Sequence, residues 1–129
     1  MTLKRASQAR MLLRRSRIDA DVLRLGVHDD VAAFHAQQAI EKALKAVLTV
    51  HRVDYPFTHS LPELAGMLAD RGLELPPSPY RLGDFTECAV VLRYEESPEE
   101  IVFDRNKLIE TTEIYLTWAD GIVESIAQD

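Results

Sequence analysis

Apolar and small residues recur at Ala6, Ala9, Leu13, Ser16, Ala20, Leu23 and Val27, in steps of three and four that put them on one face of an amphipathic helix. Gly26 stands where that helix would stop. A second inward face runs through Ala33, Ala36, Ala39/Ile40, Ala43/Leu44 and Val47/Leu48, the most regular helical pattern of the chain. Asp29 and Asp30 offer it an N-cap and first-turn negative charge. Its other face is polar, with Glu41 ahead of Lys45 in the favourable i,i+4 order. The pattern breaks from Arg52 to Thr58. Pro56 drives Tyr55 to extended geometry, which predicts a loop anchored by Tyr55 and Phe57. Ser60 then caps a short third helix with Pro62 and Glu63 in its first turn and Gly72 at its end. Ser60-Leu61-Pro62-Glu63 also has capping-box spacing.

Leu75-Pro76-Pro77-Ser78-Pro79 is a stiff connector that no helix crosses. A fourth helix is predicted from about Tyr80 to Arg93, with Phe85, Ala89 and Leu92 inward and Gly83 weakening its start. Pro98 interrupts the acidic turn from Glu95 to Glu100. The last helix shows Ile101, Leu108, Tyr115 and Ile122 at seven-residue steps, flanked by Val102, Ile109, Leu116 and Val123. Neither strand alternation of useful length nor an internal repeat appears. The expectation is an all-α protein, one domain over residues 1–129, built as an up-and-down antiparallel four-helix bundle with one short additional helix.

Composition supports a globular domain. At 129 residues, 47% apolar and 28% charged, the chain is neither collagenous, low-complexity nor disordered. Charge adds something the pattern does not show. The formal net charge is −6, yet residues 1–27 carry about +5 and the remainder about −11. Such asymmetry points to a docking surface, for an acidic partner subunit or a second copy's acidic turn before RNA. Cys88 is the only cysteine, which excludes an intramolecular disulfide and favours a reducing cytoplasm. No apolar run is long enough to span a bilayer, so no membrane association is expected. The Arg-rich, acid-free stretch from Met1 to Ile18 also reads as a mitochondrial transit peptide, but its core-facing pattern makes that the weaker reading.

Candidate chemistry is sparse. His28, His35, His51 and His59 form no metal-ligand spacing, so neither a metal nor a cofactor is implied. Phosphate-loop, dinucleotide, nucleophile-elbow and EF-hand motifs are all missing. Arg10, Arg14 and Arg17 share a helix face and suit phosphates or an acidic partner, while the plainer reading is a solvated face balancing the acidic remainder. His59, beside the third helix's cap, is either a loop-to-helix hydrogen bond or a site residue. Arg93-Tyr94 suits a phosphate clamp with a stacking ring, or a cation at a helix C-terminus.

The run Phe34-His35-Ala36-Gln37-Gln38-Ala39-Ile40-Glu41-Lys42-Ala43-Leu44-Lys45-Ala46-Val47-Leu48 resembles the HEPN family, the helical domain named for higher eukaryotes and prokaryotes nucleotide binding. Thr58-His59-Ser60-Leu61-Pro62-Glu63-Leu64 and the later Arg93-Tyr94 extend the resemblance over nearly the whole chain. The resemblance implies a helical bundle, commonly a homodimer, similar to the subunit encoded beside a minimal nucleotidyltransferase in toxin-antitoxin-like modules. Some members are metal-independent ribonucleases with an Arg-x4-6-His motif, in which His handles protons and Arg the developing phosphorane charge. Here the only formal match is Arg52 to His59, which falls between the second and third helices, and no His follows Arg93. The chain is therefore nearer an Arg-Tyr subgroup.

Three functions stay open at this point. The first is a nucleotide- or RNA-binding partner of a nucleotidyltransferase, with Lys42, Lys45, His59, Arg93 and Tyr94 as ligand-binding residues. The second is a ribonuclease toxin using Arg52 or Arg93 with His59. The third is a purely structural dimerisation module.

Overall fold

The computed structural model describes residues 2–85 and 103–127. Within them lie four α-helices: α1 Leu3–Val22, α2 Asp29–Val50, α3 Leu61–Ala69 and α4 Arg105–Ala127. A 3-10 turn spans Leu82–Phe85, and the described residues contain no strand. The fold is an all-α helical bundle. The described residues also include no helix long and apolar enough to cross a membrane.

The periodicity of α1 survives as packing. Ala6, Ala9, Ser16, Ala20 and Leu23 are buried, and Thr2 caps the helix by accepting from the Arg5 N–H at 3.3 Å. Small residues on both sides let α1 approach α2 closely: Ala32, Ala36, Ala39 and Ala43 are fully buried, and the Ser16 hydroxyl donates to the Ala39 carbonyl at 2.6 Å. Pairs at Ser16–Ala39 and Asp19–His35 show that α1 and α2 run antiparallel. Arg10–Glu124 and Arg17–Glu113 show the same for α1 and α4. It follows that α2 and α4 run in the same direction. Arg105 meets Asp29 at one end, and Val123 packs with Ala46 and Val50 at the other.

Helix α2 is the central element, covered on nearly all sides. Beyond its predicted apolar face, Gln37, Glu41 and Thr49 are buried as well. The polar face of α2 is thus not left to solvent; α1 and the segment leading into α3 lie over it, Gln37 and Glu41 find a partner in His59, and the Thr49 hydroxyl donates to the Lys45 carbonyl within α2. The N-cap of α2 is His28, without a side-chain cap bond, in place of the expected aspartate cap. Asp29 and Asp30 sit in the first turn.

Two turns fix how the chain leaves α2 and α3. After α2, Arg52 is left-handed at φ 61°, and the Val53 N–H reaches back to the Leu48 carbonyl at 3.0 Å. A non-glycine residue there costs about 1 kcal/mol. After α3, Gly72 takes φ 76° without that cost, with Leu73 N–H bonded to Leu68 O at 3.1 Å. Ser60 caps α3 as expected, accepting from Glu63 N–H at 3.2 Å. The reciprocal arm of the capping box is relayed: Ser60 N–H donates to Thr58 Oγ1, which donates to the Glu63 carboxylate. Tyr55 is half-buried, as expected of an anchor, but Phe57 is 93% exposed and anchors nothing.

Tyr80 lies in a bend, and the expected fourth helix opens as the Leu82–Phe85 turn; the rest of that prediction, from Thr86 to Arg93, lies outside the described residues. Phe85 stacks on Phe103 with centroids 5.6 Å apart, and the Tyr80 hydroxyl accepts from Asp104 N–H at 2.8 Å. Helix α4 starts at Arg105, and Ile101 and Val102 also lie outside the described residues.

Candidate functional site

Two carboxylates organise the polar stripe of α2. The first is Glu41, 4% exposed. Its Oε1 accepts from His59 Nδ1 at 3.0 Å and from Gln37 Nε2 at 3.3 Å, and its Oε2 accepts from Lys45 Nζ at 3.1 Å. Gln37 also donates to the His59 carbonyl at 2.9 Å, so both the backbone and the ring of His59 are held from α2. A carboxylate accepts, so Nδ1 of His59 carries the proton and Nε2 is left for another partner. The ring is one-third exposed. The exposed Phe57 stands edge-on to it at 5.2 Å, and Lys45 lies 5.6 Å from the Tyr55 ring centroid. A cavity of about 350 Å³ opens beside Tyr55, with Lys4 and Arg5 on its wall. A carboxylate-oriented imidazole next to an exposed aromatic ring can place a hydrogen bond on a phosphate or base while the ring offers a stacking surface.

The second carboxylate is Asp19 on α1, 9% exposed. It accepts from His35 Nδ1 at 2.9 Å and from Lys42 Nζ, tying α1 to α2 through a largely buried ion pair. Lys42 and His35 are about one-quarter exposed.

Of the six basic residues of α1, Arg10 and Arg17 meet acidic residues of α4, as does Arg24 just beyond the helix. Arg10 makes two bonds to Glu124, at 2.9 and 3.2 Å. Arg17 and Arg24 reach Glu113 at 2.6 and 3.3 Å. The Arg17 hydrogen bond holds the Glu113 carboxyl below its ordinary range against the opposing effect of burial, and Arg10 does the same for Glu124. Arg10 and Arg17 of the predicted basic face are therefore balanced inside the fold, and Arg14 between them is not.

Of the residues singled out from the sequence, the structure brings Lys45 and His59 together through Glu41. It assigns Lys42 to the Asp19 cluster instead. Arg52 sits exposed at the end of α2, and among the described residues its side chain makes no hydrogen bond or ion pair with His59. Arg93 and Tyr94 lie outside the described residues. Sequence reasoning missed Glu41, Gln37 and Asp19 as organising groups. Gln37, Glu41 and Lys45 follow at four-residue steps, and Asp19 sits three residues after Ser16 and four before Leu23, on the inner face of α1. Among the described residues no three His, Cys, Asp or Glu side chains are placed to hold a metal ion.

Comparison with curated proteins and with solved structures gives no match. A family model does match, that of the HEPN domain, over residues 6–122. This span takes in most of α1, α2, the Glu41–His59 cluster, α3 and most of α4, and the chain belongs to the HEPN domain family.

Proposed function

We propose that the protein, a single HEPN domain over residues 1–129, binds a nucleotide or single-stranded RNA through the His59–Phe57 face, with Glu41 and Lys45 as the positioning groups behind it. The observation that carries the reading is the pairing of an imidazole, fixed by a buried carboxylate with Nε2 free, and an exposed phenylalanine that stands edge-on to it outside the core. HEPN domains are generally associated with nucleotides or RNA, which supports the ligand class. By the resemblance of Arg93-Tyr94 to family members, those two residues are assigned to the same ligand, and Lys42 acts by fixing α2 against α1. The protein acts in the cytoplasm as a homodimer beside a minimal nucleotidyltransferase, in a toxin-antitoxin-like module.

Fluorescence anisotropy with a labelled single-stranded RNA tests the ligand. Replacing Phe57 with Ala should weaken binding by about 5- to 100-fold, the cost of one lost base stack. Equal binding by wild type, Phe57→Ala and His59→Ala sinks the proposal. Incubation of the same RNA in EDTA tests the ribonuclease reading, since cleavage abolished by His59→Ala would replace binding with catalysis. Light scattering after gel filtration checks the dimer, and a strict monomer contradicts it. Co-purification with a co-expressed nucleotidyltransferase subunit checks the partner.

A further inference from the structure

The seam between α1 and α4 is crossed by ion pairs at two levels, Arg10 with Glu124 and Arg17 with Glu113. Arg14 lies one turn after Arg10 and about one turn before Arg17, so in an antiparallel pair it stands opposite Thr117 and Asp120. That middle level is open. Among the described residues Arg14 and Asp120 form no ion pair, with each other or with any other group, and the Thr117 hydroxyl makes no hydrogen bond. All three are exposed and line one cavity of about 500 Å³, floored by Leu13 and Leu116. This volume lies in the range of small-molecule sites.

The charges constrain what fits. Arg10 and Arg17 are held in place by their carboxylates, which leaves Arg14 as the cation of the cavity wall without an ion pair and Asp120, whose charge also acts on Arg17 from a distance, as its anion without one. A simple anion would meet Asp120 unfavourably, and a simple cation would meet Arg14. The ligand must bring negative charge and hydrogen-bond donors together. A guanidinium fork matches a phosphate. An acceptor-only carboxylate matches a pair of hydroxyls, as where acidic side chains hold a ribose. Leu13 and Leu116 offer an apolar surface for a base. We propose that the open level between α1 and α4 binds the ribose 5′-phosphate part of a ribonucleotide, with phosphate on Arg14 and the vicinal hydroxyls on Asp120.

The ligand class rests on the nucleotide reading above, whereas the place does not. Calorimetric titration of the full chain with AMP, with its 2′,3′-dideoxy analogue and with inorganic phosphate separates the two. Arg14→Gln and Asp120→Asn remove no ion pair or side-chain hydrogen bond within the described residues, and thermal unfolding verifies that both stay folded. AMP bound at the seam should lose about tenfold or more of its affinity in each, as expected for loss of a hydrogen bond to a charged group, and be retained in Phe57→Ala, which removes only what the His59 face holds. The dideoxy analogue should bind wild type as weakly as AMP binds Asp120→Asn. AMP binding lost in Phe57→Ala but kept in Arg14→Gln overturns this site and leaves the His59 face standing. RNA binding without any AMP binding does the same. Inorganic phosphate binding as tightly as AMP overturns the sugar contact.

Discussion

Truncating Glu41 should damage stability and site together, because one carboxylate is the shared acceptor of three donors. In Glu41→Ala, the amide of Gln37 keeps one bond to the His59 carbonyl, but the ammonium of Lys45 and the Nδ1–H of His59 lose their partner. Removing one side of a buried pair costs about 3–5 kcal/mol when the remaining charge cannot reach water. Lys45 is 12% exposed at its side chain and His59 33%. Both can turn partly to solvent, which lowers the expectation to about 2–4 kcal/mol. Urea unfolding followed by far-ultraviolet circular dichroism measures this as a shift of midpoint at constant slope. Since Glu41 also orients His59, the RNA affinity of the folded fraction should fall in the same variant.

The partner substitution distinguishes an uncompensated charge from a simple loss of packing. Lys45→Met in the Glu41→Leu background removes both charges and fills the space with apolar groups, and it should recover most of the lost stability, because apolar replacement of a buried ion pair is often neutral or better. RNA binding should not recover, since His59 still lacks its acceptor. A Glu41→Ala cost below about 1 kcal/mol would refute the reasoning, and so would an apolar pair no more stable than Glu41→Ala alone.

Arg105 donates to the carbonyls of Leu23, Leu25 and Val27 and to the Asp29 carboxylate, closing the connection between α1 and α2; Arg105→Lys keeps the charge but not the fork, and should lower the thermal midpoint with a loss of about 1–3 kcal/mol. His51 has its pKa lowered from the ordinary 6.5, by burial first and then by Arg71. The unfolded chain therefore takes up that proton first, and this contribution to stability is present above 6.5 and lost as pH falls towards the folded value. Urea midpoints should decline less from neutral to mildly acid pH in His51→Gln than in wild type, and parallel curves would contradict this. Ser16 is fully buried where α1 meets α2; Ser16→Leu should cost about 1–3 kcal/mol or more by overpacking, while Ser16→Ala should cost only about 1 kcal/mol for its bond to Ala39, both read by chemical denaturation.

What could be read from the sequence follows from what periodicity detects. It registers one apolar stripe per helix, and it placed α1, α2 and the body of α4 because those helices bury such a stripe, while α3 was placed by its Ser60 cap and terminal Gly72. It assigns everything else to solvent, and α2 is where this fails. Its remaining face is covered by segments distant in sequence, so Glu41 and Gln37 look like ordinary surface residues until His59 is brought onto them. Asp19 was within reach, because it continues the inward spacing of Ser16 and Leu23, but a charge in an apolar series reads as an interruption until Lys42 and His35 supply partners. Phe57 erred in the opposite sense: an aromatic residue in a loop suggests an anchor, whereas only coordinates show that it is left in solvent.

The charge asymmetry of the chain leads to a last expectation, about salt. A first segment near +5 against a remainder near −11 suggests a basic docking surface, yet Arg10, Arg17 and Arg24 of that segment face Glu124 and Glu113 across the α1–α4 seam. These two carboxylates offset part of the local positive charge, leaving Lys4, Arg14 and Arg15 without an ion pair among the described residues, and the whole protein carries −6. RNA held at His59 and Phe57, where Glu41 takes up the charge of Lys45, is expected to be bound mainly by stacking and a few directed hydrogen bonds, not by a basic groove. Proteins that neutralise phosphates release counterions, and for single strands the affinity falls with a logarithmic slope of about 0.7 per phosphate contacted. One or two contacts here predict a slope of about 1 or less in magnitude. Anisotropy titrations across a salt series measure it directly. A slope several times larger would mean that RNA follows the arginines of α1, displacing Glu113 and Glu124 from them, and would move the binding face from His59 to the seam.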